Sequence, residues 1–439
     1  MPARHARELC EFIDASPTAY HAVDSAAAML KAFGARRLDE REAWRLEPGV
    51  SYYVVRDDAS LAAFRLGSGA PCETGFAIAG AHTDTPGLCA RYEKPVKGRG
   101  LERVAVEAYG SPIHASWMDR PLSMAGRVIV RDGNGRPVAR LLNLARPVAV
   151  IPNLAIHFNR EMNKGVEYPM QNAMLPFVSA RTGEAGDGSS WMVRAVAREL
   201  GVEPADILAA ELSFVDAAPS LAFGDEAEML SAPRIDNLEG CHAVLSAFCS
   251  APSAGAAHAQ VAVLFDNEEI GSNTARGADS GFLRDLVTRL GAAAGDSGPD
   301  HPHRALARSL IMSVDGAQGW HPGYAERFDE DYAPVLNRGP AVKSNANFRY
   351  ATDSLGEVAF RLCCEEAGVP FQRFRMRADL VPGSTIGPVS SALLGVRTVD
   401  VGVPMLAMHS VREMAGAYDH DSMIASLRVF YARGPGLLP

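Results

Sequence analysis

No stretch of this 439-residue chain approaches 18 uninterrupted apolar residues, so a membrane-spanning helix is not expected. Cysteine is sparse and unpatterned. None of the seven (Cys10, Cys72, Cys89, Cys241, Cys249, Cys363, Cys364) belongs to a Cys-x-x-Cys pair, their number is odd, and most sit in apolar stretches. They read as buried, reduced thiols, and cysteine ligation of a metal is not expected. There is no Lys/Arg run, and the formal net charge is −9, which argues against a nucleic-acid or anionic-membrane binder. Internal repeats and low-complexity segments are absent. The N-terminal Met1-Pro2-Ala3-Arg4-His5-Ala6-Arg7-Glu8 has no apolar signal-peptide core, so a cytoplasmic protein is expected.

What is present is ordinary globular composition, 47% hydrophobic and 22% charged, in a chain long enough for two or three domains. Apolar positions at helical spacing predict helices over 4–13 and from Ser16-Pro17 to about residue 33. Short small-and-apolar runs at 75–81, 258–265, 309–314 and 397–403 read as buried parallel strands. Helical patterns at 238–248, 281–290, 354–367 and 422–431 lie between or beyond them. Strands alternating with helices predict an α/β fold with a mainly parallel sheet. From about Lys94 to Ala227 the pattern changes to short β-like runs. The clearest is 127–131 and 136–142 around Asp132-Gly133-Asn134-Gly135, a β-hairpin signal. Residues 182–190 read as a polar Gly/Ser loop. The expected organisation is therefore a split α/β domain, 1–93 and 228–439, with a β-rich domain at 94–227 inserted into it.

In open α/β sheets, sites lie beyond the carboxyl ends of the strands. The run 75–81 is followed by His82-Thr83-Asp84, and 258–265 by Asp266-Asn267-Glu268-Glu269. Asp315 follows 309–314, and Met408-His409 follows 397–403. Asp236 stands at a helix start. Each has an ordinary alternative reading. Asp236 could be a helix N-cap, either histidine a satisfied structural residue, and Glu268-Glu269 a solvated step. Together they place two histidines, His82 and His409, and the four acids Asp236, Glu268, Glu269 and Asp315 at one sheet edge, where carboxylates would repel without a cation. The set His82, Asp236, Glu269, Asp315 and His409 offers nitrogen and oxygen without sulfur. This suits catalytic zinc, with cobalt or manganese as substitutes. Five ligands with three carboxylates exceed one tetrahedral ion and fit two ions sharing a carboxylate. Glu268 is then available as a general base. Asp84 could hold the other N–H of the His82 imidazole.

Eight segments, in order, resemble the aspartyl aminopeptidase and vacuolar aminopeptidase I family of dinuclear zinc peptidases. They are Ala81-His82-Thr83-Asp84-Thr85-Pro86, Trp117-Met118-Asp119-Arg120-Pro121-Leu122, Leu154-Ala155-Ile156-His157 and Arg234-Ile235-Asp236-Asn237-Leu238. The series continues with Asp266-Asn267-Glu268-Glu269-Ile270-Gly271-Ser272, Gly339-Pro340-Ala341-Val342-Lys343, Gly383-Ser384-Thr385-Ile386-Gly387-Pro388 and Met408-His409-Ser410-Val411-Arg412-Glu413-Met414.

The resemblance implies removal of N-terminal residues from peptides with a free N-terminus, with a preference for Asp or Glu. Asp236 would bridge two zinc ions, His82 and Asp315 would complete one site, Glu269 and His409 the other, and Glu268 would be the base. Lys343 would meet the acidic substrate side chain, while Tyr350 and the 383–388 loop, with Gly383 and Ser384, would line the site. The inserted domain would serve dimerisation within a tetrahedral homo-dodecamer, and His157 would reach a neighbouring subunit's active site. The chain departs from the family pattern after Asp315, where Gln318 replaces a histidine and Gly323 an asparagine. A broad or leucine-type aminopeptidase, an amide deacylase, a non-enzymatic assembly protein and a metal-storage module are the competing readings.

Overall fold

The computed structural model describes residues 4–180, 190–252, 255–296 and 298–438. It divides the chain into two compact units, one of residues 1–84, 220–408 and 413–439, the other of 85–219 and 409–412. The division falls at Thr85, not at 94, because Gly87–Gly98 is one continuous strand. It falls at Pro219, not 227, because Leu221–Phe223 pairs with Met229–Ala232 in the first unit's smaller sheet.

The first unit is built on a nine-stranded sheet. At its centre Ala259–Phe265, Phe76–His82, Leu310–Val314 and Arg397–Gly402 run parallel in that order. Antiparallel neighbours flank them. Every residue of Phe76–His82 and of Ala259–Phe265 is buried, as a strand covered on both faces requires. The two-residue period assigns Ala77, Ala79 and Ala81 to one face and Phe76 and Ile78 to the other. Helices Arg4–Ala15, Ala19–Phe33, Ile235–Ser250, Ser354–Ala367 and Ala417–Arg433 cover the alanine face through residues such as Leu30, Phe248, Phe360 and Tyr431. Helices Phe282–Ala293, His301–Ala307 and Ile386–Leu394 cover the other. The small strand side chains let the long helix Ile235–Ser250 pack close, while each buried Leu or Phe that it and its neighbours contribute is worth about 1.5–3 kcal/mol.

The second unit holds a six-stranded antiparallel sheet whose strands are longer than their sequence signal suggested. Leu122–Arg131 and Ile207–Asp216 each span 10 residues, and Leu101–Tyr109 spans nine. Their alternation is weak because stretches such as 207–211 are exposed or half-exposed on both faces. The hairpin of Leu122–Arg131 and Pro137–Asn143 turns on Asp132, whose carboxylate accepts the Asn134 and Arg136 N–H groups at 2.9 and 2.8 Å. Of the polar loop expected at 182–190, residues 182–189 lie outside the described residues, and Ser190 caps the helix Trp191–Leu200. Among the described residues, no helix is long and apolar enough to cross a membrane.

The expected 383–388 loop is a loop only to Thr385. The Thr385 hydroxyl accepts the Gly387 N–H at 3.2 Å and starts the helix Ile386–Leu394. Pro388 fits in that first turn, where a missing N–H costs nothing.

Candidate metal centre

The parallel register aligns Phe265 with His82, so the strand ends carrying the chemistry lie side by side. His82 closes its strand and Asp315 directly follows Leu310–Val314. Asp236 is not an N-cap. The cap position is Arg234, in the left-handed region at φ 60°, and the backbone leaves helical geometry at Asp236 (φ −80°, ψ 106°) and Asn237. That departure is held in place from three directions. The Asp236 N–H donates to Glu413 at 2.9 Å, the Asn237 amide donates to the Val314 carbonyl at 2.8 Å, and the Gly240 N–H donates back to the Asn237 side chain at 3.2 Å. Gly240 is required here, because a Cβ would stand 2.3 Å from that amide oxygen.

His82 Nε2 lies 3.3 Å from Asp236 Oδ1 and 3.4 Å from Asp315 Oδ1, all three residues being buried. Its Nδ1 donates to the Asp84 backbone carbonyl at 3.0 Å. The Asp84 carboxylate is farther from that nitrogen, at 3.5 Å. Its shorter bonds are to the N–H groups of Glu268 (3.0 Å) and Glu269 (3.1 Å). Asp84 therefore holds the imidazole through its main chain and the glutamate turn through its side chain. With Nδ1 donating to an oxygen that can only accept, a neutral His82 presents a lone pair to two carboxylates. Only a proton or a cation fits between them.

Glu268 and Glu269 occupy the 3-10 turn Glu268–Ile270, and potential ligand atoms of His82, Glu268 and Glu269 lie within 4.8 Å of one another. The same holds for His82, Asp236 and Asp315. Without a cation these groups disturb one another strongly. Burial, augmented by the charges of Asp315, Asp84 and Asp236, pushes the Glu268 carboxyl up to about 8. Burial would lower the His82 imidazole, but its hydrogen bonds to Asp236, Asp315 and Asp84 carry it well above its usual range. The donor set is that of a hard-to-borderline dication, and zinc fits it.

Lys343 makes its polar contacts with Asp315 and the residue after it. It ends the strand Ala341–Lys343, is 1% exposed, and its ammonium donates to Asp315 Oδ2 at 2.9 Å and to the Gly316 carbonyl at 3.0 Å. Burial opposes the charge on Asp315, but Lys343 and His82 overcome it and hold the carboxyl well below the usual range. Tyr350 is also buried, its ring centroid 5.2 Å from the Lys343 ammonium. Gly383 and Ser384 are exposed, and the Ser384 hydroxyl donates to the Arg349 carbonyl at 3.3 Å. Gln318 is half-buried, with its amide 3.5 Å from Met408 sulfur.

Two residues named from the sequence fall in the second unit. His157 is exposed there, among exposed Leu154, Ile156 and Phe158, so it is not a buried structural histidine. His409 has φ 67° and its Nδ1 lies 3.2 Å from the Ser111 carbonyl. Sequence reasoning assigned no part to Glu413, Asn237 or Gly402. A Cβ on Gly402 would lie 1.6 Å from the Asp315 carbonyl oxygen, so glycine there lets Asp315 cross the neighbouring strand. Glu413 stands inside a segment that carries the resemblance, but its bond to Asp236 spans 177 residues and has no local signal.

The sequence profile of the family described as Aminopeptidase I zinc metalloprotease (M18) matches residues 12–431. The "Probable M18 family aminopeptidase 2" of Pseudomonas paraeruginosa is 44% identical over 425 residues, 97% of each chain. Its Azotobacter vinelandii counterpart is 42% identical over the same share. Among solved structures, a chain of the Ape4 and Nbr1 complex superposes with a TM-score of 0.94 at 33% identity, covering 98% of this chain and 85% of that one. The S. cerevisiae mApe1 dodecamer gives 0.86 at 26%, covering 99% and 98%. With the cation-demanding cluster at the strand ends, this likeness along nearly the whole chain shows that the protein belongs to the M18 family of zinc metalloprotease aminopeptidases.

Proposed function

We propose that the protein removes acidic N-terminal residues from peptides using two zinc ions and Glu268 as general base. The observation that carries this reading is the convergence of His82, Asp236 and Asp315 beside the Glu268–Glu269 turn. His82 and Asp315 would hold one ion and Asp236 both, with Glu269 and His409 assigned to the other by the resemblance. When bound, zinc supplies Lewis acidity, acidifying a water and polarising the scissile carbonyl. Glu268 takes the water's proton and delivers it to the leaving amine, which demands a carboxylate of fixed position. Asp84 fixes it through the two backbone N–H groups of the turn. Lys343 keeps Asp315 charged and oriented. The substrate's free α-amine adds a cation to an acidic site, which favours cleavage at the N-terminus over internal bonds.

Since Lys343 is committed to Asp315, the acidic preference needs another cation. Arg349 supplies one. It lines a cavity of about 810 Å³ bordered by Ser344, Phe348, Arg375 and Arg377, directly following the Lys343 strand. Arg377 is paired with Asp379 at 2.8 Å, whereas no ion pair of Arg349 is found among the described residues. The exposure of His157 supports its action in a neighbouring subunit of a homo-oligomer, the dodecamer built from dimers being the arrangement the resemblance favours. The second unit would then serve dimerisation.

The test combines metal content and substrate choice. Asp236→Ala should hold two fewer equivalents of metal per chain than the wild type. Chelation should abolish wild-type activity, with zinc or cobalt restoring it. Asp- and Glu-initiated chromogenic substrates should be cut faster than Leu- and Ala-initiated ones, and N-acetylated substrates left intact. Equal metal content in the two proteins would refute the dinuclear reading, and faster cleavage of Leu substrates the acidic one.

A further inference from the structure

Away from the strand ends, three residues of the first unit bring unlike donors to one point. Cys72 lies in the single helical turn Pro71–Thr74, just before the central strand Phe76–His82. Asp296 follows the helix Phe282–Ala293, and His301 opens the helix His301–Ala307. More than two hundred residues separate Cys72 from the other two, yet a sulfur, a carboxylate oxygen and an imidazole nitrogen from them lie within 4.8 Å of one another.

We propose that Cys72, Asp296 and His301 hold a further divalent metal ion of the zinc class, separate from the catalytic centre. Thiolate, imidazole and carboxylate together are a borderline-soft set that zinc and cobalt accept in tetrahedral geometry. The outer contacts are those of oriented ligands. Asp296 Oδ2 accepts the Cys72 N–H at 2.7 Å, which turns the other carboxylate oxygen toward His301 Nδ1, with which it is in contact. His301 Nε2, the ring nitrogen facing away, lies 3.9 Å from Asp300 Oδ1. Gly298 leaves room for the ring, since a Cβ there would stand 2.4 Å from His301 Nε2.

Cys72 and Asp296 are buried, but the His301 side chain is 31% exposed, so a water can take the fourth position and the ion has a path inward. The arrangement does not suit a nucleophilic triad. The His301 Nδ1 is taken up by the Asp296 carboxylate, whereas a base must face the nucleophile, and Cys72 is buried. It does suit a clasp. On binding, the Cys72 thiol gives up its proton and the ion ties the turn that begins the His82 strand to the junction of two helices.

Cobalt substitution separates this site from the catalytic one, because the catalytic donors contain no sulfur. The full-length enzyme, stripped and reloaded with cobalt(II), should show a near-ultraviolet thiolate-to-cobalt charge-transfer band. Cys72→Ser and, independently, the half-exposed His301→Ala should each lose one equivalent of metal per chain and the band with it. Both should keep peptidase activity when zinc is supplied. Absence of the band from the wild type overturns the proposal, as does its persistence in Cys72→Ser. Unchanged metal content in both variants also overturns it.

Discussion

Replacing Lys343 by methionine separates two roles for this residue that predict different numbers. Methionine keeps most of the unbranched stem and removes the ammonium. Lys343 is 1% exposed and donates two hydrogen bonds, to Asp315 Oδ2 and to the Gly316 carbonyl. Removing one partner of a buried ion pair costs about 3–5 kcal/mol where the remaining charge is left uncompensated, and His82 beside Asp315 makes that an upper bound here. If Lys343 holds Asp315, Lys343→Met should lower the urea midpoint by up to that equivalent. It should also reduce kcat/KM on Asp-, Glu- and Leu-initiated substrates by a common factor. If instead Lys343 recognised the substrate's carboxylate, the loss would be that of one charge-assisted hydrogen bond, about 1.5–3 kcal/mol. That corresponds to roughly 10- to 150-fold in kcat/KM, confined to acidic substrates. Parallel urea titrations and a two-substrate kinetic comparison distinguish the cases. Unaltered stability with a selective loss on Asp and Glu substrates would refute the positioning role of Lys343.

Arg349→Met should show the converse, a fall of roughly ten-fold or more on acidic substrates with Leu-initiated substrates and stability little changed. An unchanged Asp-to-Leu ratio would remove Arg349 from the specificity argument. Glu268→Gln should retain its metal and lose roughly 10²–10⁴-fold in kcat, the range for a positioned acid–base group. Near wild-type turnover in the metal-replete variant would deny it that part. His157→Phe should impair activity while leaving metal content and assembly size intact, read by metal analysis and size-exclusion chromatography. A change of oligomeric state with normal turnover per active site would show that the residue serves packing instead.

The four central parallel strands of the first unit and its longer helices were legible, because a buried parallel strand advertises itself as an unbroken small-and-apolar run, whereas its flanking strands, its smaller sheet and the helices His301–Ala307 and Ile386–Leu394 were not. Phe76–His82 and Ser354–Ala367 fall within a residue of their expected limits for that reason. The second unit's strands were blurred by exposure on both faces, as at 101–103 and 207–211. Residues at strand ends could be named because topology alone collects them. Geometry between distant segments could not. The commitment of Lys343 to Asp315 and the clustering of Cys72 with Asp296 both depend on which side chain fills which space. Local sequence does not encode that. Thr385 shows the remaining limit, since a glycine and a proline that signal a turn are equally at home in the first turn of a capped helix.

The two-pronged grip of Asp84 on the Glu268 and Glu269 N–H groups has an evolutionary corollary. Proposed base and proposed ligand are consecutive residues on one short turn, hung from a single carboxylate. A drift in sequence that re-aims Glu269 toward an ion of different radius must rotate the peptide shared with Glu268, and so re-aims the base. On the proposed roles, metal choice and proton transfer would be inherited as one trait. Selection for a new metal has to reach this enzyme through residues that leave the turn untouched, such as those around Asp236, or else accept slower catalysis along the way.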